Sequence, residues 1–182
     1  MKSFVEQAQF YAKYHQEPVT FYTHLIGVPL IIFSLMIFLG FFHIVVPGVI
    51  NIGFADIFTV IALLYYLFLN WRLGLILIPI FTFMVWIADL ISWAGPTKRA
   101  LWAFLILFIL GWAFQLIGHF IEGRRPALIN NFWQALIAPM YLMAEIFFRM
   151  GRMEALRKQI HPENDMPLIV NTPNQSNDIS QD

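Results

Sequence analysis

Gln115, His119 and Glu122 follow one another at spacings of four and three, where an uncharged run that begins at Ala100 comes to its end. On a helix these positions share a face. An imidazole and a carboxylate at the edge of an apolar run are costly unless they meet a partner, water or an ion. That face reads as half of a metal site. The other half is sought in His15 and His24, about a hundred residues earlier, just before the first apolar run. The chain has no cysteine, which excludes thiolate ligation, disulfides and a cysteine nucleophile. Imidazole and carboxylate donors suit iron, zinc or manganese, and two or three histidines with one carboxylate and open positions are the pattern of non-haem Fe(II) oxygen chemistry. Arg124 and Arg125 follow at once. Their guanidinium groups can clamp a carboxylate, or serve only as a basic anchor at the membrane edge.

Each of these residues also has a plainer reading. His15 alone reads as a solvated residue of a surface helix, and His24 as an interfacial histidine bonded to a carbonyl or a headgroup. His119 and Glu122 can be a hydrogen-bonded pair that orients helices. Convergence of four separate positions at one membrane face favours the metal. His43 and His161 fall away from that face and read as bystanders, while Asp56 and Asp89 are expected to pair with each other, with Lys98 or Arg99, or with water.

These side chains need a scaffold that brings distant segments together. The chain has 182 residues, 59% hydrophobic and 12% charged, about half the charge of a soluble domain. The apolar residues gather in runs near twenty long, as a helix crossing a bilayer requires. The fold class is therefore all-α, a polytopic membrane helix bundle with four transmembrane helices plus interfacial helices. The expected spans are Leu25–Val46, Phe54–Leu69, Leu73–Ile91 and Ala100–Gly118, with Pro47, Gly48, Asn51 and Gly53 making a turn. Ser3–Tyr14 reads as a short surface helix. Phe132–Phe148, interrupted by Pro139 and Glu145, reads as an interfacial segment, and Arg149–Ile160 as a basic surface helix with Met153, Leu156 and Ile160 facing lipid. Residues 1–160 form a single transmembrane domain, and the polar, Pro- and Asn-rich 161–182 a disordered cytoplasmic tail.

With four spans, Lys2, Lys13, Arg72, Arg124, Arg125, Arg149, Arg152, Arg157 and Lys158 share one side, against Lys98 and Arg99 on the other. That bias places both termini in the cytoplasm. An even number of spans puts the start of the first and the end of the fourth on the same side, and so gathers His15, His24, His119 and Glu122. The formal net charge of zero gives no case for nucleic acid. The N-terminus has no secretory signal pattern, and a bacterial inner membrane and the endoplasmic reticulum are both compatible.

Two blocks, YAKYHQEPVTFYTHLIGVP (Tyr11–Pro29) and FQLIGHFIEGRRPAL (Phe114–Leu128), resemble the signatures of the 2-hydroxy fatty acid dioxygenase family of small membrane proteins. Tyr11, His15, Pro18, His24 and Pro29 match the first block. Gln115, Gly118, His119, Glu122, Arg125, Pro126, Ala127 and Leu128 match the second. Thr20 stands where the family often has Asn, and the stretch from His119 to Pro126 is one residue shorter than in the fungal form. The resemblance implies an Fe(II)-dependent, O2-using enzyme of fatty acid α-oxidation, which shortens 2-hydroxy fatty acids, such as those derived from phytosphingosine, by one carbon. It implies His15, His24 and His119 as metal ligands, Glu122 as a ligand or as the orienter of an imidazole, and Gln115, Arg124 and Arg125 as contacts for the substrate head. The acyl tail would lie among the spans, in the lipid bilayer. Membrane di-iron desaturases need about eight clustered histidines, and only five are present. A non-enzymatic lipid-binding or scaffold protein, its polar residues serving only helix packing, is the alternative.

Overall fold

A computed structural model describes residues 3–14, 18–48, 50–123 and 132–162. Among them are seven helices and one short hairpin: α1 Phe4–Tyr14, α2 Pro18–Leu39, β1 His43–Val46, β2 Ile50–Gly53, α3 Phe54–Leu69, α4 Trp71–Ser92, α5 Lys98–Glu122, α6 Phe132–Arg149 and α7 Glu154–Ile160. The architecture is the expected helical membrane bundle. Three helices (α2, α4 and α5) are long and apolar enough to cross a bilayer, and α3 is apolar but has 16 residues. Their outward faces carry exposed Phe58, Phe68, Phe83, Ile109 and Phe120, as lipid-facing surfaces do.

The first span is displaced from its expected limits. The helix opens at Pro18 and ends at Leu39. Proline suits a helix's first turn because its missing N–H would have no intrahelical partner. Beyond Leu39 the β-branched Ile44, Val45 and Val46 form a strand, paired antiparallel with Ile50–Gly53. Hydrophobicity alone does not separate the two conformations, and the expected turn over 47–53 is largely strand. Gly48, at φ 75°, takes the left-handed position of the connection.

α2 and α5 run antiparallel and form the most extensive helix pair of the bundle. Glycines set their separation. A methyl on Gly27 would stand 2.9 Å from the Gly111 carbonyl, and one on Gly111 would stand 3.0 Å from the Ile31 backbone nitrogen. Small residues at such a crossing let backbones approach closely. Farther along, Phe38 and Phe104 continue the seam with ring centroids 5.1 Å apart.

α6 continues through Pro139 and Glu145 and packs against α1, α2 and α4. Ile137, Met140 and Ala144 are fully buried, and Tyr66 donates from its hydroxyl to the Leu136 carbonyl at 2.8 Å. This bond ties α6 to α3 within the buried layer. The expected surface helix over Arg149–Ile160 is shorter than its basic pattern implied. Met153 sits at φ 58°, and only Glu154–Ile160 is helical. Ile160 is 2% exposed and Leu156 packs against the core, so this face meets protein rather than lipid.

Candidate metal centre

The start of α2 and the end of α5 meet at one end of the bundle. His24, 1% exposed, lies inside α2, and His119, 7% exposed, lies one turn before the end of α5. Their rings meet edge to face, with centroids 4.8 Å apart and planes at 84°. Gly118 makes the approach possible. A methyl there would collide with Thr23 Oγ1 and stand 3.2 Å from both Cε1 and Nδ1 of His24.

Hydroxyl groups fix this crossing. The fully buried Thr20 donates to the Gly118 carbonyl at 3.3 Å. Thr23 donates to the Thr20 carbonyl at 3.0 Å, and its oxygen lies 3.5 Å from His24 Nδ1. α5 stops immediately after Glu122 because Gly123, at φ 66°, takes the left-handed capping conformation and its N–H reaches the His119 and Phe120 carbonyls. The turn that carries both His119 and Glu122 is thereby fixed.

Gln115 lies one turn farther into α5, 8% exposed, facing Gly27. Its Nε2 is buried without a hydrogen-bond partner among the described residues. An unsatisfied buried amide is costly. Glu122 is half-buried and close enough for its charge to act on His119. It does not join His24 and His119 in a three-donor group: among the described residues no three His, Asp or Glu side chains gather closely enough to hold a metal. His15, Arg124 and Arg125 lie outside the described residues.

The other polar residues fall elsewhere. The Asp56 and Asp89 carboxyl groups lie beside each other near His43, and Asp56 accepts from the Gly53 N–H at 3.1 Å. The pairing expected of these aspartates is thus present. His43 bonds the Gly40 carbonyl through Nε2 at 2.8 Å. His161, read as a bystander to the metal site, meets Glu145 at 2.6 Å. A cleft of about 480 Å³ between the α3–α4 corner and α7 is lined by Leu67, Asn70, Arg72 and Gln159 among others. None of the expected site residues lines it.

Sequence reasoning found the two histidines but gave no packing role to the parts that hold them. Thr20 and Gly118 entered only as motif positions, and Thr23 not at all. Gly111 and Gly118, seven apart on α5, did carry a signal: small residues at that spacing mark a close helix crossing.

No solved structure matches the chain. The 2-hydroxy-palmitic acid dioxygenase MPO1 of Saccharomyces cerevisiae is 32% identical over 167 residues, which cover 89% of this chain and 88% of the yeast protein. The model of the family described as 2-hydroxy-palmitic acid dioxygenase Mpo1-like matches residues 1–150. With a match over most of its length, this chain belongs to the Mpo1-like family.

Proposed function

We propose that this protein is a membrane-embedded, Fe(II)-dependent dioxygenase that shortens 2-hydroxy fatty acids by one carbon, using O2. The observation that carries the reading is the buried edge-to-face contact of His24 and His119 across the α2–α5 crossing, in a chain whose relative is a 2-hydroxy-palmitic acid dioxygenase.

The residues suit a bound metal. Two imidazoles from different helices share one buried site, and the missing Cβ of Gly118 leaves room for the His24 ring. His24, His119 and His15 would hold the ion. Glu122, outside any three-donor group, fits the role of orienting an imidazole, as outer carboxylates do at metal sites. When bound, Fe(II) supplies Lewis acidity, orientation of the hydroxy acid and a redox partner for O2. The chain's own residues do the rest. Gln115 offers a buried amide N–H to the substrate head, and Arg124 and Arg125 neutralise its carboxylate. The apolar helices keep the acyl chain in the bilayer. Nine basic residues on one side against two on the other support a cytoplasmic location for this end of the bundle and for both termini. The membrane is a bacterial inner membrane or the endoplasmic reticulum.

The test is elemental analysis of the purified protein, joined to aerobic and anaerobic assays on 2-hydroxypalmitate. Stoichiometric iron and strictly O2-dependent chain shortening are expected. Protein free of stoichiometric iron, and unaltered by His119→Ala, would instead be a lipid-binding or scaffold protein.

A further inference from the structure

A row of buried and half-buried polar side chains links the end of α7 to α6 and α1. His161 Nε2 meets Glu145 Oε1 at 2.6 Å, with side chains 24% and 15% exposed. Glu145 in turn hydrogen-bonds the Tyr141 hydroxyl. Tyr141, 3% exposed, packs its ring on that of Tyr11, 4% exposed, with centroids 4.6 Å apart and planes at 46°. Tyr11 lies within the electrostatic reach of Glu122, and Glu122 within that of His119. These residues come from α7's C-terminal edge, α6, α1 and α5.

The arrangement is built rather than incidental. Burying a tyrosine hydroxyl is unfavourable unless it finds a partner, and a valine or leucine at Tyr141 would pack the same core without one. The layer is cross-tied as well, because Gln9 Nε2 donates to the Gln159 carbonyl at 2.6 Å and so joins α1 to α7. One expected member of the metal centre lies next to this layer: Glu122 is within electrostatic reach of Tyr11.

We propose that Tyr141, backed by the Glu145–His161 pair, is a positioning residue for the candidate metal centre, holding Tyr11 and α1 in register with Glu122 and the histidines. The inference rests on the metal reading given above. Outer partners of metal ligands typically govern about 10–100-fold in affinity or activity, and Tyr141 acts through such a partner.

The experiment titrates Co(II) into the purified, metal-free full-length protein and into Tyr141→Phe, Glu145→Gln and His119→Ala, following the visible absorption of the bound ion. Phenylalanine keeps the ring packing and deletes only the hydroxyl. Tyr141→Phe and Glu145→Gln are expected to weaken Co(II) by about tenfold, and to lower kcat on 2-hydroxypalmitate more than they raise KM. The double variant is expected to be no worse than either single one, as members of one chain of contacts behave. Wild-type Co(II) affinity in Tyr141→Phe, beside lost affinity in His119→Ala, overturns the relay and leaves the metal reading standing. A fall in melting temperature with unaltered Co(II) affinity overturns it in the same way, since the tyrosine would then serve packing alone. A wild-type protein that does not bind Co(II) overturns both readings.

Discussion

His119 and His24 set their imidazoles edge to face, with centroids 4.8 Å apart, where α5 crosses the buried start of α2. The crossing tolerates this only because position 118 carries no side chain. The helix crossing and the contact between the two imidazoles are therefore the same feature at this end of the bundle.

Gly118→Ala tests that identity. The added methyl collides with Thr23 Oγ1 and crowds the His24 ring at 3.2 Å. Overpacking of this kind costs about 1–3 kcal/mol, and a displaced His24 loses its place opposite His119. Thermal unfolding in detergent is expected to show the lower stability, and turnover to fall by about 10–100-fold. Adding Thr23→Ala relieves the nearer collision. The double variant is expected to regain stability while its turnover stays low, because the contact with His24 remains.

His24→Ala and His119→Ala remove the two rings themselves. Each is expected to reduce chain shortening of 2-hydroxypalmitate by at least about a hundredfold, since losing a ligand costs no less than losing its outer partner. Membrane insertion is expected to survive, because the apolar length of α2 and α5 does not depend on either ring. Activity assays beside alkaline extraction of membranes separate these outcomes. Full chain shortening in both variants would reject the site.

Much of this was legible in the sequence, for identifiable reasons. The period of α5 placed Gln115, His119 and Glu122 on one face, and the structure buries Gln115 and His119 there. Apolar run length gave the bundle. Run length failed at residues 43–46, because a strand and a helix end are equally apolar and only the β-branched Ile44, Val45 and Val46 distinguish them. It failed again at Ile160, where a basic amphipathic pattern suits a lipid surface and a protein surface alike. The Glu145–His161 pair was invisible for a different reason. Side chains 16 residues apart meet only because the chain reverses after Arg149, and Met153 adopts a left-handed conformation that no local pattern announces.

Gly111→Ala addresses the α2–α5 crossing away from the histidines. Its methyl would stand 2.7 Å from Ile31 Cγ1, 3.0 Å from the Ile31 nitrogen and 3.1 Å from the Gly27 carbonyl. Two of those atoms are backbone, so the helices themselves must separate. A loss of about 1–3 kcal/mol is expected, read as a lower melting temperature in detergent. Gly48→Ala serves as the contrast. There a methyl meets nothing within 4 Å, and only the positive φ of 75° opposes it, so the expected loss is about 1–2 kcal/mol and comes from backbone strain alone.

Acid should loosen the layer formed by α1, α6 and α7 through Glu145. Burial pushes this carboxyl up, but hydrogen bonds from His161 and Tyr141 and the nearby charges of His161 and Arg149 outweigh burial and hold it below its ordinary 4.5. A carboxyl that ionises more readily when folded binds fewer protons in the native state than in the unfolded chain. Its contribution is therefore complete above about 4.5 and is lost as the pH falls through the lower, folded value. Melting temperatures of the wild type are expected to drop across that window. Glu145→Gln cannot titrate and should show a shallower drop over the same range, from a lower starting stability because the charge-assisted bond to His161 is gone. Parallel acid profiles for the two proteins would mean that Glu145 makes no pH-dependent contribution to the layer.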